Sequence, residues 1–258
     1  GVHPDITRSG NYVFRTVRLG QPQGRAGAKF VGDVLGHKQI SVISMDNDYG
    51  QATLEGFKSA AGQFGIKILG EYSYPLRDRQ FGSIVASVKR DNPQAIYVTG
   101  YFFTAGPLVT QLRAAGITVP IIGSQAFDAQ KLIEIAGQAV EGVYIVGGLN
   151  RDRDSAQLKS YLAEFQKRAG YPGENVGATV YSAIVLMADA IKRASLDQAK
   201  VRDALANTKD FDHLAGKLVS FNALREINMP MNVNVVKGGK FVHYAWIDDL
   251  KLLAPPTE

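Results

Sequence analysis

Three short loops hold the side chains of this chain best suited to gripping a small molecule. The first, Asp46–Asn47–Asp48–Tyr49–Gly50, offers carboxylates, an amide and a phenol directly after the apolar run Ser41–Val42–Ile43–Ser44–Met45. The second, Gly100–Tyr101–Phe102–Phe103–Thr104, is aromatic. The third, Ser124–Gln125–Ala126–Phe127–Asp128, joins an amide to a ring and an acid. Carboxylates and amides hydrogen-bond polar ligand groups, and ring faces take apolar or cationic ones. Bond-making chemistry has no comparable signature. There is no Gly-x-Ser-x-Gly elbow, no Gly-x-x-x-x-Gly-Lys-Ser/Thr phosphate loop and no His-Glu-x-x-His, and the first strand–helix turn lacks Gly-x-Gly-x-x-Gly. The histidines His3, His37, His213 and His243 are too scattered to build a metal site or a base–nucleophile set from spacing. Asp212–His213 resembles a catalytic pair, but adjacent loop residues do not orient one another. A reversible binder without cofactor or metal is therefore favoured over a hydrolase or dehydrogenase.

Those loops require elements to hold them. Candidate strands Gln39–Ser44, Lys67–Ser73, Ala95–Thr99, Val119–Gly123 and Val143–Gly147 alternate with candidate helices Gln51–Phe64, Phe81–Arg90, Gly106–Ala115 and Ala129–Ala136. Leu54, Phe57, Ala61 and Phe64 share one face of the first helix, which Gly65 stops; Ile84, Val85 and Val88 point inward on the second. Alternation at this spacing predicts a doubly wound, mostly parallel sheet with helices on both faces and right-handed crossovers. Each of the three loops then leaves the carboxyl end of a strand, where ligands bind in open α/β sheets.

After Gly147 the rhythm changes. Helices Ser155–Ala169, Val176–Ala194 and Gln198–Asn207 follow one another with no strand between them. Tyr181, Ile184, Val185, Ala188 and Ile191 form a stripe on the second, and an apolar stripe needs a partner surface. Short strands Lys217–Phe221 and Asn232–Val236 come next, and Gly238–Gly239 turns the chain into Phe241–Ile247, a predicted hairpin. The pattern is one complete lobe plus the helices of a second whose sheet lies elsewhere.

Composition sets the remaining bounds. A chain of 258 residues with 45% hydrophobic residues forms one large or two medium domains. The absence of cysteine rules out disulfides and thiol chemistry. The net charge of +5 is dispersed, and its nearest run, Arg151–Asp152–Arg153–Asp154, neutralises itself. With no recognition helix or aromatic–basic strip, no nucleic-acid partner is expected. No apolar run approaches the roughly 20 residues of a membrane span, so no direct insertion is expected. The opening Gly1–Val2–His3–Pro4–Asp5 lacks the basic and apolar regions of a signal peptide, which leads us to expect that any export signal has already been removed.

A family resemblance accounts for the half-lobe. Val2–His3–Pro4–Asp5–Ile6–Thr7, Phe14–Arg15–Thr16, Gln23–Gly24 and Asp46–Asn47–Asp48–Tyr49–Gly50 are followed in order by Asp91–Asn92–Pro93, Gly100–Tyr101, Arg113–Ala114–Ala115–Gly116, Ala136–Gly137 and Glu141–Gly142–Val143–Tyr144. Each motif is short, but their order and spacing across nearly the whole chain resemble the leucine/isoleucine/valine-binding family of type I periplasmic binding proteins. Members deliver amino acids and related small molecules to ABC importers. The resemblance implies a two-lobed fold, each lobe a doubly wound sheet. Residues 20–147 and 228–258 would form lobe 2, and residues 1–19 and 148–227 the remainder of lobe 1. The family pattern normally begins with a strand–helix series and a Ser- or Thr-rich binding loop. This chain starts just after that loop, so a truncated or nicked chain, or an upstream segment left out, is expected, with a large apolar surface exposed.

The resemblance also implies a site. Tyr49 and Tyr101 match two tyrosines that line the pocket. Gln125 matches an acidic residue that grips the substrate ammonium, and here the sequence departs from the pattern. A neutral amide brings no charge, whereas a charge-assisted hydrogen bond contributes about 1.5–3 kcal/mol. Phe102, Phe103 and Phe127 surround these positions. Two ligands follow. One is a branched-chain amino acid held by Asp46 or Asp128 and by the tyrosine faces; the other is an aromatic carboxylate whose ring substituent or carbonyl bonds Gln125. Plainer roles compete at every position. Tyr49 fits a staple on the first helical turn, Tyr101 a core aromatic, Gln125 a solvent-facing residue, and Asp46, Asn47 and Asp48 plain turn residues. Phe102 and Phe103 cannot face the same way, so one belongs to the core. The implied partner is a membrane permease, and the implied location is periplasmic or extracellular. A sensor receptor or regulator is the alternative, but no DNA-binding helix–turn–helix is visible and the ending Leu253–Ala254–Pro255–Pro256–Thr257–Glu258 is polar and Pro-rich, which favours a free binder.

Overall fold

The computed structural model describes residues 5–257, so the Val2–His3–Pro4 portion of the resemblance lies outside the described residues. A four-residue helix, α1 (Asp5–Arg8), leads through an irregular stretch to α2 (Gly20–Lys29), which runs on into a π-helical turn over Phe30–Val34. Four strand–helix units follow: β1 (Gln39–Met45) and α3 (Asp48–Ala61), β2 (Lys67–Tyr74) and α4 (Gly82–Asp91), β3 (Ala95–Thr99) and α5 (Phe102–Ala114), β4 (Ile121–Gly123) and α6 (Gln130–Ala136). After β5 (Tyr144–Val146) come α7 (Ala156–Ala169), α8 (Asn175–Ala194) and α9 (Gln198–Ala206). Strands β6 (Lys209–His213), β7 (Gly216–Phe221) and β8 (Ile227–Asn228) precede the hairpin β9 (Met231–Lys237) and β10 (Lys240–Ile247).

The large sheet has seven strands in the order β10-β9-β5-β4-β3-β1-β2. Strands β1 to β5 pair in parallel; β9 joins β5 antiparallel and carries β10. Successive side chains alternate between two apolar layers, as a strand's period of two requires. Ile43, Met45, Ile96 and Val98 pack toward α4, α5 and α6, while Ile40, Val42, Ala95 and Tyr97 pack toward α2 and α3. The expected doubly wound parallel sheet is therefore present. Strands β6, β7 and β8 form a separate antiparallel sheet of three that packs on α8 and α9.

Three local differences from the sequence reading have physical causes. Helix α3 begins three residues early because the Asn47 side chain accepts the Gly50 N–H at 2.8 Å and caps it. Helix α5 begins four residues early, at Phe102, with the Tyr101 carbonyl accepting from Thr104 and Ala105. Phe102 and Phe103 thus ride on a helical turn and not in a loop. Asp212–His213 likewise lies on β6, paired with Gly216–Lys217, and not in a loop.

Helix α2 carries no aliphatic stripe. Its glycines let backbone meet backbone: a Cβ at Gly24 would overlap the Thr53 carbonyl oxygen and the Phe57 amide nitrogen, and one at Gly56 would overlap the Gln21 backbone. Among the described residues the chain passes between the two sheets three times, near residues 15–20, 147–155 and 228–231. Arg18 laces these passages: Nη2 donates to the Ala215 carbonyl at 3.2 Å and the Pro230 carbonyl at 2.6 Å. The Asn232 and Asn234 side chains donate to the Gly148 and Leu149 carbonyls. Residues 5–19 are held to the small sheet, with Arg15 in a 2.8 Å buried ion pair with Glu226 and Phe14 edge-on to Phe221 at 5.3 Å.

The outer face of α8 has no partner among the described residues. Val176 (65%), Val180 (56%) and Ile184 (66%) are exposed, with Tyr181 and Met187 beside them. Such a continuous apolar face marks a surface built to be covered.

Two stability outcomes follow. Gly24→Ala should cost about 3 kcal/mol through overpacking against backbone that cannot yield. Gly62→Ala, with open space around its Cβ and helical φ, should be neutral or stabilising, and urea midpoints compare the two. His213 is 1% exposed, and burial, reinforced by the Arg18 charge, pushes its pKa down to about 3. The unfolded chain takes up that proton below about 6.5. This stability is therefore intact above pH 6.5 and falls by up to about 1.4 kcal/mol per pH unit between 6.5 and 3. His213→Asn, which keeps an acceptor for the Ala215 N–H that His213 Nδ1 now accepts, should flatten the urea-midpoint slope between pH 6 and 4 relative to wild type.

Candidate ligand-binding site

The site starts from the carboxyl ends of β1, β3 and β4. Capping of α3 by Asn47 sets Tyr49 in its first turn, where the ring is buried and the hydroxyl donates to Gln23 Oε1 at 2.9 Å. Gln23 Nε2 in turn donates to the Arg18 carbonyl at 3.1 Å, which ties the site to the passages between the sheets. Burial pushes the Tyr49 phenol up to about 12, so it stays neutral. Tyr101 precedes α5 and stacks on Tyr49 with centroids 5.6 Å apart and planes 15° apart. Phe103 continues the stack on Tyr101 at 5.5 Å, and the Arg79 guanidinium lies over Phe103 at 5.3 Å. The result is a ladder of three rings running from the buried Tyr49 to the exposed Arg79. Phe102 is set edge-on to Phe103, at 87°, and packs on the core layer of α4 to α6.

Gln125 sits in a 3₁₀ turn after β4, next to Ser124 and Ala126, which lie against the Tyr49 hydroxyl. It is 9% exposed, its Oε1 is buried without a hydrogen-bond partner, and it lines a groove of about 810 Å³ with Thr16, Thr179 and the α8 face. The structure brings Tyr49, Tyr101 and Gln125 together at one sheet edge. Two expectations are corrected. Phe127 is fully buried with its ring over Gly123, because the 3₁₀ turn folds it back into the core, so it offers no surface to a ligand. Asp128 is also unavailable to an ammonium: its side chain is buried, pairs with Arg151 Nη2 at 2.6 Å and accepts the Leu149 N–H. Asp46 is exposed and its side chain makes no hydrogen bond among the described residues; its N–H donates to the Tyr74 carbonyl at 2.8 Å.

One residue escaped the sequence reading. Asn175, the first residue of α8, is 1% exposed, and neither Oδ1 nor Nδ2 has a hydrogen-bond partner. Buried amides normally find partners, and these two atoms find none among the described residues. An Asn at a helix start reads from sequence as a cap, yet the capping position belongs to Glu174. Arg151 holds this end of α8 near Asp128 by donating Nε to the Gly173 carbonyl at 3.1 Å.

The two-sheet α/β scaffold thus carries an aromatic ladder and orphaned polar groups at the strand ends. The model of the periplasmic binding protein family matches residues 5–240, and the chain belongs to that family. The leucine-, isoleucine-, valine-, threonine- and alanine-binding protein of Pseudomonas aeruginosa is 28% identical over 208 residues, taking in 80% of this chain and 56% of that protein. This chain thus spans little more than half the length of the curated relatives it matches. A leucine-binding protein from Thermotoga maritima superposes with a TM-score of 0.86 at 27% identity, over 96% of this chain and 71% of that one. A solute-binding protein from R. palustris, solved with benzoate, shares the fold at a TM-score of 0.84 and 21% identity, over 95% of this chain and 68% of that one.

Arg151→Ala should destabilise the protein by about 3 kcal/mol, since it leaves Asp128 buried and unpaired. The double variant Asp128→Asn, Arg151→Met should recover more than half of that loss in urea denaturation, because no charge is then stranded.

Proposed function

We propose that this chain is the solute-binding component of an ABC importer, acting in the periplasm or outside the cell and handing its cargo to a membrane permease without chemistry. The observation that carries the reading is the set Tyr49, Tyr101 and Gln125 gathered at the strand ends, with a buried Gln125 oxygen that has no partner among the described residues. Residues 20–147 and 228–258 form one lobe, and residues 1–19 and 148–227 part of the other. The ion pair of Arg15 with Glu226 supports that division, as does the seven-stranded sheet formed by 39–146 and 231–247. Between the lobes the ligand is held by hinged closure. Relatives name branched-chain amino acids and a structural neighbour names benzoate, so the cargo class is a small amino acid or an aromatic carboxylate.

The chain carries its own reporter of closure. Trp246, the sole tryptophan, lies on β10 and packs over Gly216 of β7, so it bridges the two sheets. Titration with leucine, isoleucine and benzoate should give a saturable change in tryptophan fluorescence with at least one of them and no turnover. Tyr101→Ala should weaken that binding about tenfold through loss of a stacked ring. A fluorescence signal unmoved by all three solutes would count against the reading.

A further inference from the structure

The segment after β10 does not trail off the large sheet; it ties that sheet to the small one. Asp249 opens it with a turn, its carboxylate accepting the Leu252 N–H at 3.0 Å and its carbonyl the Leu253 N–H at 3.0 Å. The turn drives Leu253, 2% exposed, into the apolar layer that holds α2, α3 and β9. Arg25 of α2 grips the same segment from the side, with Nε donating to the Leu252 carbonyl at 2.6 Å and Nη2 to the Ala254 carbonyl at 2.6 Å. Beyond this anchor Pro255 is buried, and the Pro256 carbonyl accepts from Asn222 Nδ2 at 2.8 Å. Asn222 lies between β7 and β8 of the small sheet. Its Oδ1 holds that turn by accepting the Leu224 and Glu226 N–H groups, each at 3.0 Å.

Two prolines therefore separate the carbonyl held by Arg25 on the large sheet from the one held by Asn222 on the small sheet. Two residues reach about 7 Å at full extension, and proline fixes φ, so the span has little slack. A swing that parts the sheets there must either break the Asn222 bond or pull Leu253 out of the core. The hydrogen bond is the weaker of the two attachments, because a buried leucine gives up its whole apolar surface when withdrawn. The small-sheet end is the one that lets go.

We infer that residues 248–256 form a strap across the hinge, anchored by Leu253 and Arg25 and fastened at Asn222, which limits how far the two sheets part and so slows release of cargo. This inference rests on the hinged solute-binding reading and adds a control on its clamp. Two variants unfasten the strap at its small-sheet end. Asn222→Asp keeps the acceptor that holds the turn and removes the donor; a chain ended after Ala254 keeps both carbonyls on Arg25. The chain has no cysteine, so spin labels at Lys67→Cys on β2 and Lys209→Cys on β6, both exposed, report the distance between the sheets by double electron–electron resonance. Without solute, both variants should populate the longer distances about fivefold more than the wild-type strap does, the weight of one hydrogen bond. Release of leucine or benzoate, followed by Trp246 fluorescence, should quicken by a similar factor. Distance distributions in both variants that match the wild-type strap overturn the inference, as does unchanged release of a solute that the wild type binds. Binding of neither solute by any form overturns the solute-binding reading, and the distances then decide the strap alone. Where one variant fails to fold, which circular dichroism reports, the other decides.

Discussion

A single buried guanidinium holds the molecule's two sheets in register. Arg18 leaves the first passage between them and donates to carbonyls at Ala215, beside the small sheet, and Pro230, on the third passage. No carboxylate pairs with it among the described residues, and burial lowers its pKa to about 10, still far above neutrality. A charge bonded to carbonyls alone has few alternatives: moving either segment away strands it in a low-dielectric interior. The hydrogen-bonded arrangement is therefore strongly preferred over its near neighbours. Carbonyl acceptors also impose no electrostatic lock of the kind a buried ion pair would, so the passages are aligned without being welded.

From that anchor the site is reached in two bonds. The Arg18 carbonyl accepts from Gln23, and Gln23 accepts from the Tyr49 hydroxyl. Tyr49 then fixes the plane on which Tyr101 and Phe103 stack. The candidate site and the passages thus share one hydrogen-bonded chain. Gln23 can serve this role only because Gly24 brings α2 against α3. A bulkier residue there would lift the helix and with it the amide.

The parallel sheet was legible because its strands alternate with helices that are closed by glycine or asparagine, as at Gly65, Asn92 and Gly137. Helix α2 was not. Gly20, Pro22, Gly24 and Gly27 carry no apolar periodicity, and the helix owes its place to backbone contact with α3, which hydrophobic patterning does not record. Strand β6 was missed because its burial is uneven and polar residues dominate it. At the candidate site, Tyr49, Tyr101 and Gln125 were singled out by the family resemblance, and the strand ends hold them close together. The fate of Phe127 was not legible, since a 3₁₀ turn reverses a side chain that a loop would leave outward. Asn175 was not singled out because its one unusual feature, two side-chain atoms without partners among the described residues, is not displayed by a sequence.

The glutamine at position 125 also fits the electrostatics of its surroundings. Asp128 follows three residues later, its N–H donating to the Gln125 carbonyl at 3.1 Å, and Arg151 is the one cation paired with it. Glu174 is already raised by burial and by the Asp128 charge. A carboxylate at 125 would set another buried negative charge beside Asp128 with no second cation paired there among the described residues. In the absence of a cationic ligand, such a group would protonate or pull Arg151 away from Asp128. With an amide in that place no additional charge is set beside the Asp128–Arg151 pair. A glutamine at this position therefore avoids the electrostatic strain that a buried carboxylate would bring beside Asp128.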